Sequence, residues 1–168
     1  HHAWRDGARR WRLDVLVDDL PIDALAVALA VGDVDVVVLV DVVRRAVDRV
    51  AIDVPVGAVL VDPDGTVVAV GKNERELTGD PTAHAEVVAI RAAAALNANW
   101  HLNDLTLVVT LEPCAMCAGA IQHARIANLI YGASDPKTGA CGSVVNLMSE
   151  QKLNHHTTVT AGMLGEET

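Results

Sequence analysis

Apolar residues recur at two different spacings along the chain, and the two spacings predict two kinds of element. In residues 42–52 they recur every three or four positions with arginines between them, which is typical of an amphipathic helix. In residues 56–70, two β-branched runs flank the sequence Asp-Pro-Asp-Gly at 62–65, which predicts a β-hairpin. We therefore expect a helix followed by two antiparallel strands.

The rest of the chain alternates between strand-like and helix-like patterns. Strands are predicted at residues 105–111, 128–131 and 157–161. Helices are predicted at residues 83–96, 114–124 and 144–151. This β-α-β-α-β order indicates an α/β fold with parallel strands, in which the first two of these helices lie on one face of the sheet with their N-termini together.

Residues 1–40 show no consistent period, because aspartates interrupt their apolar runs at irregular positions. We therefore divide the chain into an N-terminal extension, residues 1–40, to which no fold is assigned, and a single domain over residues 41–168. Half of the 168 residues are apolar, and this length is sufficient for one domain with a buried core. The longest apolar runs stay far below the roughly 20 residues that span a bilayer.

The formal charge of −9 argues against broad electrostatic attraction to nucleic acid, because phosphate contacts recruit clustered Lys and Arg. A pocket that takes one splayed loop nucleotide is still compatible with an acidic protein. Two of the three cysteines belong to the motif described next, so no disulfide framework is expected. The sequence therefore predicts a soluble protein in a reducing, cytoplasmic compartment.

Cys114 and Cys117 lie where a predicted strand leads into a predicted helix. Pro113 marks the helix start, and residues three apart in a first helical turn share a face, so both sulfurs converge. The positive end of the helix dipole favours their thiolates, which are the form that binds metal. Two thiolates do not complete a zinc shell. His84, at the start of the other helix, is the predicted third ligand, and Glu86 is left free for proton transfer.

Three protein ligands with an open position are typical of a catalytic zinc site, whereas a fourth protein ligand makes the site structural. The side chains available as a fourth ligand are Cys141, His101, His123, His155 and His156. His123 lies six residues beyond Cys117, about 9 Å along the helix axis, which is too far to join easily. We therefore favour a catalytic zinc. The pattern His-x-Glu followed by Pro-Cys-x-x-Cys is the signature of zinc-dependent base deaminases.

Longer stretches around this signature resemble the bacterial tRNA-specific adenosine deaminases. The matching segments are Val-Pro-Val-Gly-Ala-Val at 54–59, Asp-Pro-Thr-Ala-His-Ala-Glu at 80–86, Thr-Leu-Glu-Pro-Cys-Ala-Met-Cys-Ala-Gly-Ala at 110–120 and Asp-Pro-Lys-Thr-Gly at 135–139. The resemblance covers residues 53–165 and implies a cytidine deaminase-like three-layer α/β/α sandwich with a five-stranded mixed sheet. It also implies a homodimer with one Zn²⁺ per subunit that converts adenosine to inosine at the wobble position of the tRNA anticodon loop.

By the same resemblance, a set of residues surrounds the substrate. Its members are Asn73, Ala85, Val54, Pro55, Leu111 and Asp135. Asn73 and the backbone of Ala85 are expected to orient the base, and Asp135 to lie near the ribose. Zinc is expected to make a water proton easier to remove. Glu86 is expected to carry that proton to N1 of the purine and then to help the amino group leave as ammonia.

Two alternatives keep part of this interpretation. One retains the fold and the chemistry but takes a free nucleobase or nucleoside of the guanine or cytidine type as substrate, and the acidic composition favours it. The other is a non-catalytic binding module stabilised by zinc, which requires a closed metal site with no room for water. The number of protein ligands at the metal distinguishes the second alternative from an enzyme.

Overall fold

The computed structural model describes residues 56–162. The predicted helix at 42–52, the N-terminal extension and the predicted substrate contacts Val54 and Pro55 lie outside the described residues. In chain order, the strands and helices are β1 (Gly57–Val61), β2 (Val67–Lys72), α1 (Arg75–Thr78), α2 (Ala85–Asn97), β3 (Thr106–Leu111), α3 (Ala115–His123), β4 (Asn128–Ala133) and β5 (Thr158–Thr160). The predicted hairpin, the two long helices and the later strands are confirmed to within a few residues.

The five strands form one mixed sheet in the order β2-β1-β3-β4-β5. β3, β4 and β5 pair in parallel, as the alternation of strands and helices predicts. β1 lies between β2 and β3 and is antiparallel to both. The antiparallel pairing of β1 with β2 confirms the predicted hairpin, and β2, β3 and β4 run in one direction as predicted, but the placement of β1 between β2 and β3 was not predicted. The tight turn at 62–65 holds β1 beside β2, so the α2 crossover has to pass over β1 before the chain enters β3.

Both long helices pack on the same face of the sheet. The buried cluster that joins them to the strands contains Ala85, Ala89 and Ala93 of α2, Ala118 and Ile121 of α3, and Ala58, Leu60, Leu107, Val109, Leu129 and Tyr131 of the sheet. Residues four apart in a helix share a face, so the alanines of α2 form a narrow stripe that lets its backbone approach the strands closely. The prediction that the two helices share one face is confirmed.

The approach is closest at Gly71 in β2. A Cβ placed on this glycine would lie 2.1 Å from the carbonyl oxygen of Ala85 and 2.7 Å from the amide nitrogen of Ala89. Any larger residue would push the first turn of α2 away from the sheet. Gly71 therefore fixes the depth at which this helix begins.

The segment between β4 and β5 contains no helix, so the prediction of a helix at 144–151 is wrong. Its amide groups are used in turns instead: Gly142 donates to the carbonyl of Val145 (3.0 Å), and Leu147 donates to that of Ala140 (2.9 Å). The side chain of Asn146 accepts a bond from the Ser149 amide (3.2 Å). Hydrogen bonds of this local kind compete with helix formation. Among the helices of residues 56–162, none is both long and apolar enough to cross a bilayer.

Candidate metal centre and active site

Strands β2, β3 and β4 all end at the same edge of the sheet. β2 and β3 are each antiparallel to β1, and β4 is parallel to β3, so the three strands run in one direction. In open α/β sheets, ligands bind outside the carboxyl ends of the strands. At this edge the chain continues from β2 to Asn73, from β3 to Glu112 and Cys114, and from β4 to Asp135. The predicted site residues therefore come from segments that are distant in sequence but adjacent in the fold.

His84 occupies the N-cap position of α2 with extended backbone angles and makes no capping bond with its side chain. The preceding turn is fixed by Asp80, whose carboxylate accepts bonds from the Thr82 amide (2.8 Å) and hydroxyl (2.7 Å). The His84 amide then donates to the Thr82 carbonyl (2.8 Å). This rigid turn orients the imidazole toward the start of α3.

Cys114 occupies the same N-cap position in α3, also with extended backbone angles and without a capping bond from its side chain. Cys117 lies one turn further on and is fully buried. The sequence predicts that these sulfurs converge at the first turn of a helix, and the structure agrees. The exposed backbone N–H groups of such a turn carry partial positive charge, which favours thiolates.

The Nδ1 atom of His84 lies 3.7 Å from the sulfur of Cys114 and 3.5 Å from the sulfur of Cys117. Tetrahedral zinc with bonds of about 2.0 Å to nitrogen and 2.3 Å to sulfur separates such atoms by about 3.6 Å. All ligand atoms of the three residues lie within 4.8 Å of one another. Both the donor types and their spacing therefore fit zinc without rearrangement.

The structure does not bring the other predicted candidates into this cluster. Within residues 56–162, the metal-type cluster contains His84, Cys114 and Cys117 alone. The ring of His123 stacks on Trp100 at a centroid distance of 5.6 Å, and the ring of His101 lies 3.6 Å from the same indole. The Nε2 atom of His155 lies 2.7 Å from the carbonyl oxygen of Ile126. Three protein ligands are consistent with the catalytic type of site and not with the closed type.

The two cysteines share a hydrogen bond that separates their acidities. This bond, from the Cys117 thiol, lowers the pKa of Cys114 to about 5 and outweighs the raising effect of burial. The same bond, followed by burial, raises the pKa of Cys117. A divalent cation held by both sulfurs would displace this proton, because metal ligation requires thiolates.

Glu86 lies in the first turn of α2, and its residue is only 4% exposed. Burial raises the pKa of its carboxyl group, and a hydrogen bond from its own backbone N–H opposes the shift only in part. A raised pKa makes a carboxylate a stronger proton acceptor, which suits a group that takes a proton from one reactant and passes it to another. Glu86 is outside the three-residue cluster, so it is available for proton transfer.

One cavity contains most of the predicted site. Asn73, Ala85, Leu111 and Asp135 line it together with His84, Glu86 and Cys114. The cavity wall also includes four residues that sequence reasoning did not assign to the site, namely Val56, Arg75, Glu112 and Thr138. Val56, Glu112 and Thr138 lie inside the motifs quoted above, so their position next to predicted site residues was a signal. Arg75 carries no comparable signal.

The comparisons with known proteins agree with this geometry. The cytidine and deoxycytidylate deaminase zinc-binding region matches residues 37–133, a range that contains the His84, Cys114 and Cys117 cluster. The chain belongs to this deaminase family. The cytidine deaminase-like fold and zinc as the cofactor of this deaminase are therefore confirmed.

Individual relatives narrow the comparison further. The deaminase is 51% identical over 115 residues to the tRNA-specific adenosine deaminase of Haemophilus influenzae; the match covers 68% of this chain and 66% of that relative. A structure from a study of A-to-I editing by tRNA:A34 deaminases superposes with a TM-score of 0.67 at 40% identity, covering 84% of this chain and 98% of the other. The guanine deaminase of Bacillus subtilis is 41% identical, but its TM-score is 0.52 and the coverage is 55% and 58%.

Proposed function

We propose that this deaminase converts adenosine to inosine at the wobble position of a tRNA anticodon, by hydrolysis of the exocyclic amine. One observation carries the proposal: a buried carboxylic acid and residues of a three-ligand metal cluster share a cavity in a chain that is 51% identical over 115 residues to a tRNA-specific adenosine deaminase. The overall reaction consumes adenosine and water and releases inosine and ammonia. It requires no redox partner.

Three residues are assigned to the metal. His84, Cys114 and Cys117 hold zinc, because their ligand atoms already have tetrahedral spacing. Zinc bound there supplies Lewis acidity, which makes a proton of the attacking water easier to remove. The sulfurs contribute negative charge to the site, and the two helix N-termini balance that charge in part.

Glu86 is assigned the proton transfers. It accepts a proton from the attacking water and delivers it to N1 of the purine as the oxygen adds to C6. It then transfers the proton of the new C6 hydroxyl to the amino group, so that the C6–N bond breaks, the C6 carbonyl forms and ammonia departs. Its burial and its raised pKa support this double role, because the same group has to gain and lose a proton in each turnover.

The cavity wall is assigned to the nucleoside. Asn73 and the backbone of Ala85 orient the base, Leu111 packs against it, and Asp135 lies near the ribose. The Asn73 amide donates to the carbonyl of Val56 (3.0 Å), which supports a fixed position for this residue at the end of β2. The proposed contacts Val54 and Pro55 immediately precede Val56 in the sequence.

Further features belong to the same proposal. The chain acts as a homodimer with one zinc ion per subunit, and the catalytic domain spans residues 41–168; the start of the family match at residue 37 supports that boundary. We place the protein in the cytoplasm, because a site built on thiolates requires a reducing compartment.

The substrate is tested by offering the zinc-loaded protein four compounds in parallel: an anticodon stem-loop with adenosine at the wobble position, free adenosine, cytidine and guanine. We expect ammonia release and inosine formation from the stem-loop only. The likeness to the Bacillus subtilis guanine deaminase makes guanine the second candidate. Turnover of guanine with no reaction on the stem-loop would replace the proposed substrate but keep the chemistry.

The role of Glu86 is tested with Glu86→Gln, which keeps the shape of the side chain and removes its proton affinity. We expect kcat to fall by about 10²- to 10⁴-fold, the usual contribution of general acid–base catalysis. Zinc content should match that of the unchanged protein, because Glu86 is not part of the metal cluster. A variant that keeps full activity would refute the assignment.

A further inference from the structure

The candidate site contains a second buried carboxylate, and none of the steps above uses it. Glu112 follows β3 directly, and its residue is only 2% exposed. It does not belong to the three-residue metal cluster. A buried carboxylate has to be compensated by hydrogen bonds, since an unpaired one is costly in a low-dielectric interior. The identity of its partners therefore indicates what Glu112 does.

All four recorded donors to Glu112 belong to the loop between β4 and β5. Its Oε1 atom accepts bonds from the backbone amides of Cys141 (3.0 Å) and Ser143 (3.0 Å). Its Oε2 atom accepts bonds from the backbone amide of Asp135 (3.0 Å) and from the hydroxyl of Ser143. Two donors on each oxygen correspond to the full accepting capacity of a carboxylate. Glu112 thus binds the loop at points eight residues apart.

The loop is also packed closely around this side chain. A Cβ placed on Gly139 would lie 2.5 Å from the carboxyl group of Glu112 and 2.5 Å from the carbonyl oxygen of Asp135. One isolated β-bridge joins the loop to the start of α3. In this bridge Gly139 pairs with Cys114, and the Ala140 amide donates to the carbonyl of Pro113 (2.8 Å). The Glu112 carboxylate, with four hydrogen bonds, therefore attaches the loop at more points than this bridge does.

The anchored loop supplies one wall of the cavity. Asp135 and Thr138 line the cavity beside His84 and Glu86. The Asp135 carboxylate accepts bonds from the hydroxyl and the amide of Thr138 and from the amide of Lys137. The position of this turn is thus set at the Asp135 amide, which Glu112 binds.

We propose that Glu112 is a positioning residue for substrate binding: by accepting these four bonds it holds Asp135 and Thr138 in the cavity wall. It acts on the substrate only through the loop. Glu86 and the metal cluster are fixed by the helix starts and do not depend on it. The proposal rests on the proposed function, because that function makes this cavity the substrate site.

Glu112→Gln is the informative variant, because it keeps the volume and replaces one accepting oxygen with an amino group. In either orientation of the amide, two donors of the loop lose their acceptor. We expect KM for the stem-loop to rise by about tenfold or more while kcat stays within about threefold, the signature of lost binding with intact chemistry. Zinc content should stay the same. A fall in kcat at constant KM, or loss of zinc, would overturn the proposal.

A double-mutant cycle with Asp135→Ala tests whether the effect passes through the loop. If Glu112 acts by placing Asp135, Asp135→Ala should raise KM by a smaller factor in the Glu112→Gln background than in the unchanged protein. If the two substitutions acted independently, KM of the double variant would rise by the product of the two single factors, and that result would contradict the proposal. Ser143→Ala removes only the hydroxyl donor, so it should raise KM by a smaller factor than Glu112→Gln. If Glu112→Gln does not fold, Ser143→Ala still tests whether the bonds between Glu112 and the loop affect substrate binding.

Hydrogen exchange gives a readout that does not require activity. In zinc-loaded Glu112→Gln, the backbone amides that lose their acceptor should exchange faster, either those of Cys141 and Ser143 or that of Asp135 according to the orientation of the new amide, while those of α2 and α3 should keep their protection. Glu150→Gln is the matched control, because this exposed glutamate accepts a bond only from the nearby Lys152 amide (3.0 Å) in the recorded contacts. Faster exchange throughout the protein, or no change in the loop, would overturn the proposal.

The exchange result also separates the two proposals. If the unchanged protein does not deaminate the stem-loop, the proposed substrate fails, and the exchange experiment still decides whether Glu112 anchors the loop. If the unchanged protein is active and Glu112→Gln has the same KM, the anchoring role in binding fails and the function stands.

Discussion

Two regions face each other across the cavity, and they are built in different ways. On one side, His84 and Cys114 are the N-cap residues of α2 and α3, and both helices pack on the sheet. On the other side, the loop of residues 134–143 contains neither helix nor strand and surrounds the carboxylate of Glu112. The proposed metal ligands are thus supported by helix–sheet packing, and the proposed substrate wall by hydrogen bonds to one side chain.

Because of this difference, amino-acid substitutions in the two regions should have different effects. Helix starts packed against a sheet are held by many buried apolar contacts, so their geometry is shared among many residues. A loop held by one carboxylate depends on a few hydrogen bonds, each of which is costly to leave unmade. We therefore expect substitutions that remove a ligand or displace the helix starts to affect zinc and kcat together, and those on the loop side to affect KM.

The largest effect is expected from Cys117→Ala, which removes a buried ligand from the helix side. Zinc should be lost, and deamination should fall by at least about 10³-fold because the attacking water is no longer activated. Metal analysis and ammonia release measure the two effects. Cys141→Ala is the matched control: this cysteine is also buried but lies outside the cluster, so the variant should keep its zinc.

A smaller effect on the same side is expected from Gly71→Ala. The added methyl group meets the carbonyl of Ala85 at 2.1 Å, so the start of α2 has to move. We expect a loss of about 1–3 kcal/mol in the free energy of unfolding, as for other overpacked sites, and weaker zinc binding. Gly119→Ala in α3 has open space around the new methyl group and should stabilise the protein by about 0.5–1 kcal/mol. Urea unfolding with and without chelator distinguishes the two variants.

Gly139→Ala applies the same change to the loop side. Its methyl group meets the Glu112 carboxyl group at 2.5 Å, so the loop has to shift. We expect a rise in KM of about tenfold, because the loop residues in the cavity wall move; zinc should be retained, because Gly139 pairs with the backbone of Cys114 and supplies no metal ligand. Steady-state kinetics with the stem-loop and metal analysis are the measurements. Loss of zinc at a constant KM would remove the distinction between the two regions.

The smallest effect is expected from Asp80→Asn, in the turn that leads to His84. Hydrogen bonds from the hydroxyl and the amide of Thr82 hold the pKa of Asp80 below its ordinary value. The stability that this shift contributes is present above the ordinary aspartate pKa of about 4 and is lost as the pH falls through the lower folded-state pKa. The variant should therefore show a flatter loss of stability in acid, measured by urea unfolding across that range. An unchanged slope would contradict the assignment.

The sequence was sufficient to predict the helix side of the site. His84, Glu86, Cys114 and Cys117 are separated by two and three residues within their pairs, and short spacings at helix starts translate directly into shared faces. The hairpin and the two helices followed from the hydrophobic period for the same reason. These features are local, so the pattern along the chain contains the information that defines them.

The loop side could not be predicted in the same way. Glu112 meets its partners at sequence separations of 23 to 31 residues, and no period connects such positions. The predicted helix at 144–151 was wrong because turn hydrogen bonds around Asn146 took the amides that a helix would need. The position of β1 inside the sheet was missed because strand order depends on pairing partners, which the order of elements along the chain does not specify.

The two N-cap positions limit which substitutions the protein can accept at the starts of α2 and α3. Ser, Thr, Asp and Asn are preferred at such positions, and a good cap contributes about 1 kcal/mol to stability. His84 and Cys114 make no capping bond with their side chains. Cys114→Ser would offer the helix a hydroxyl cap and at the same time remove a thiolate ligand. A gain in helix stability at either position therefore comes with the loss of a proposed zinc ligand, so the most favourable caps for these two helices are incompatible with the proposed chemistry.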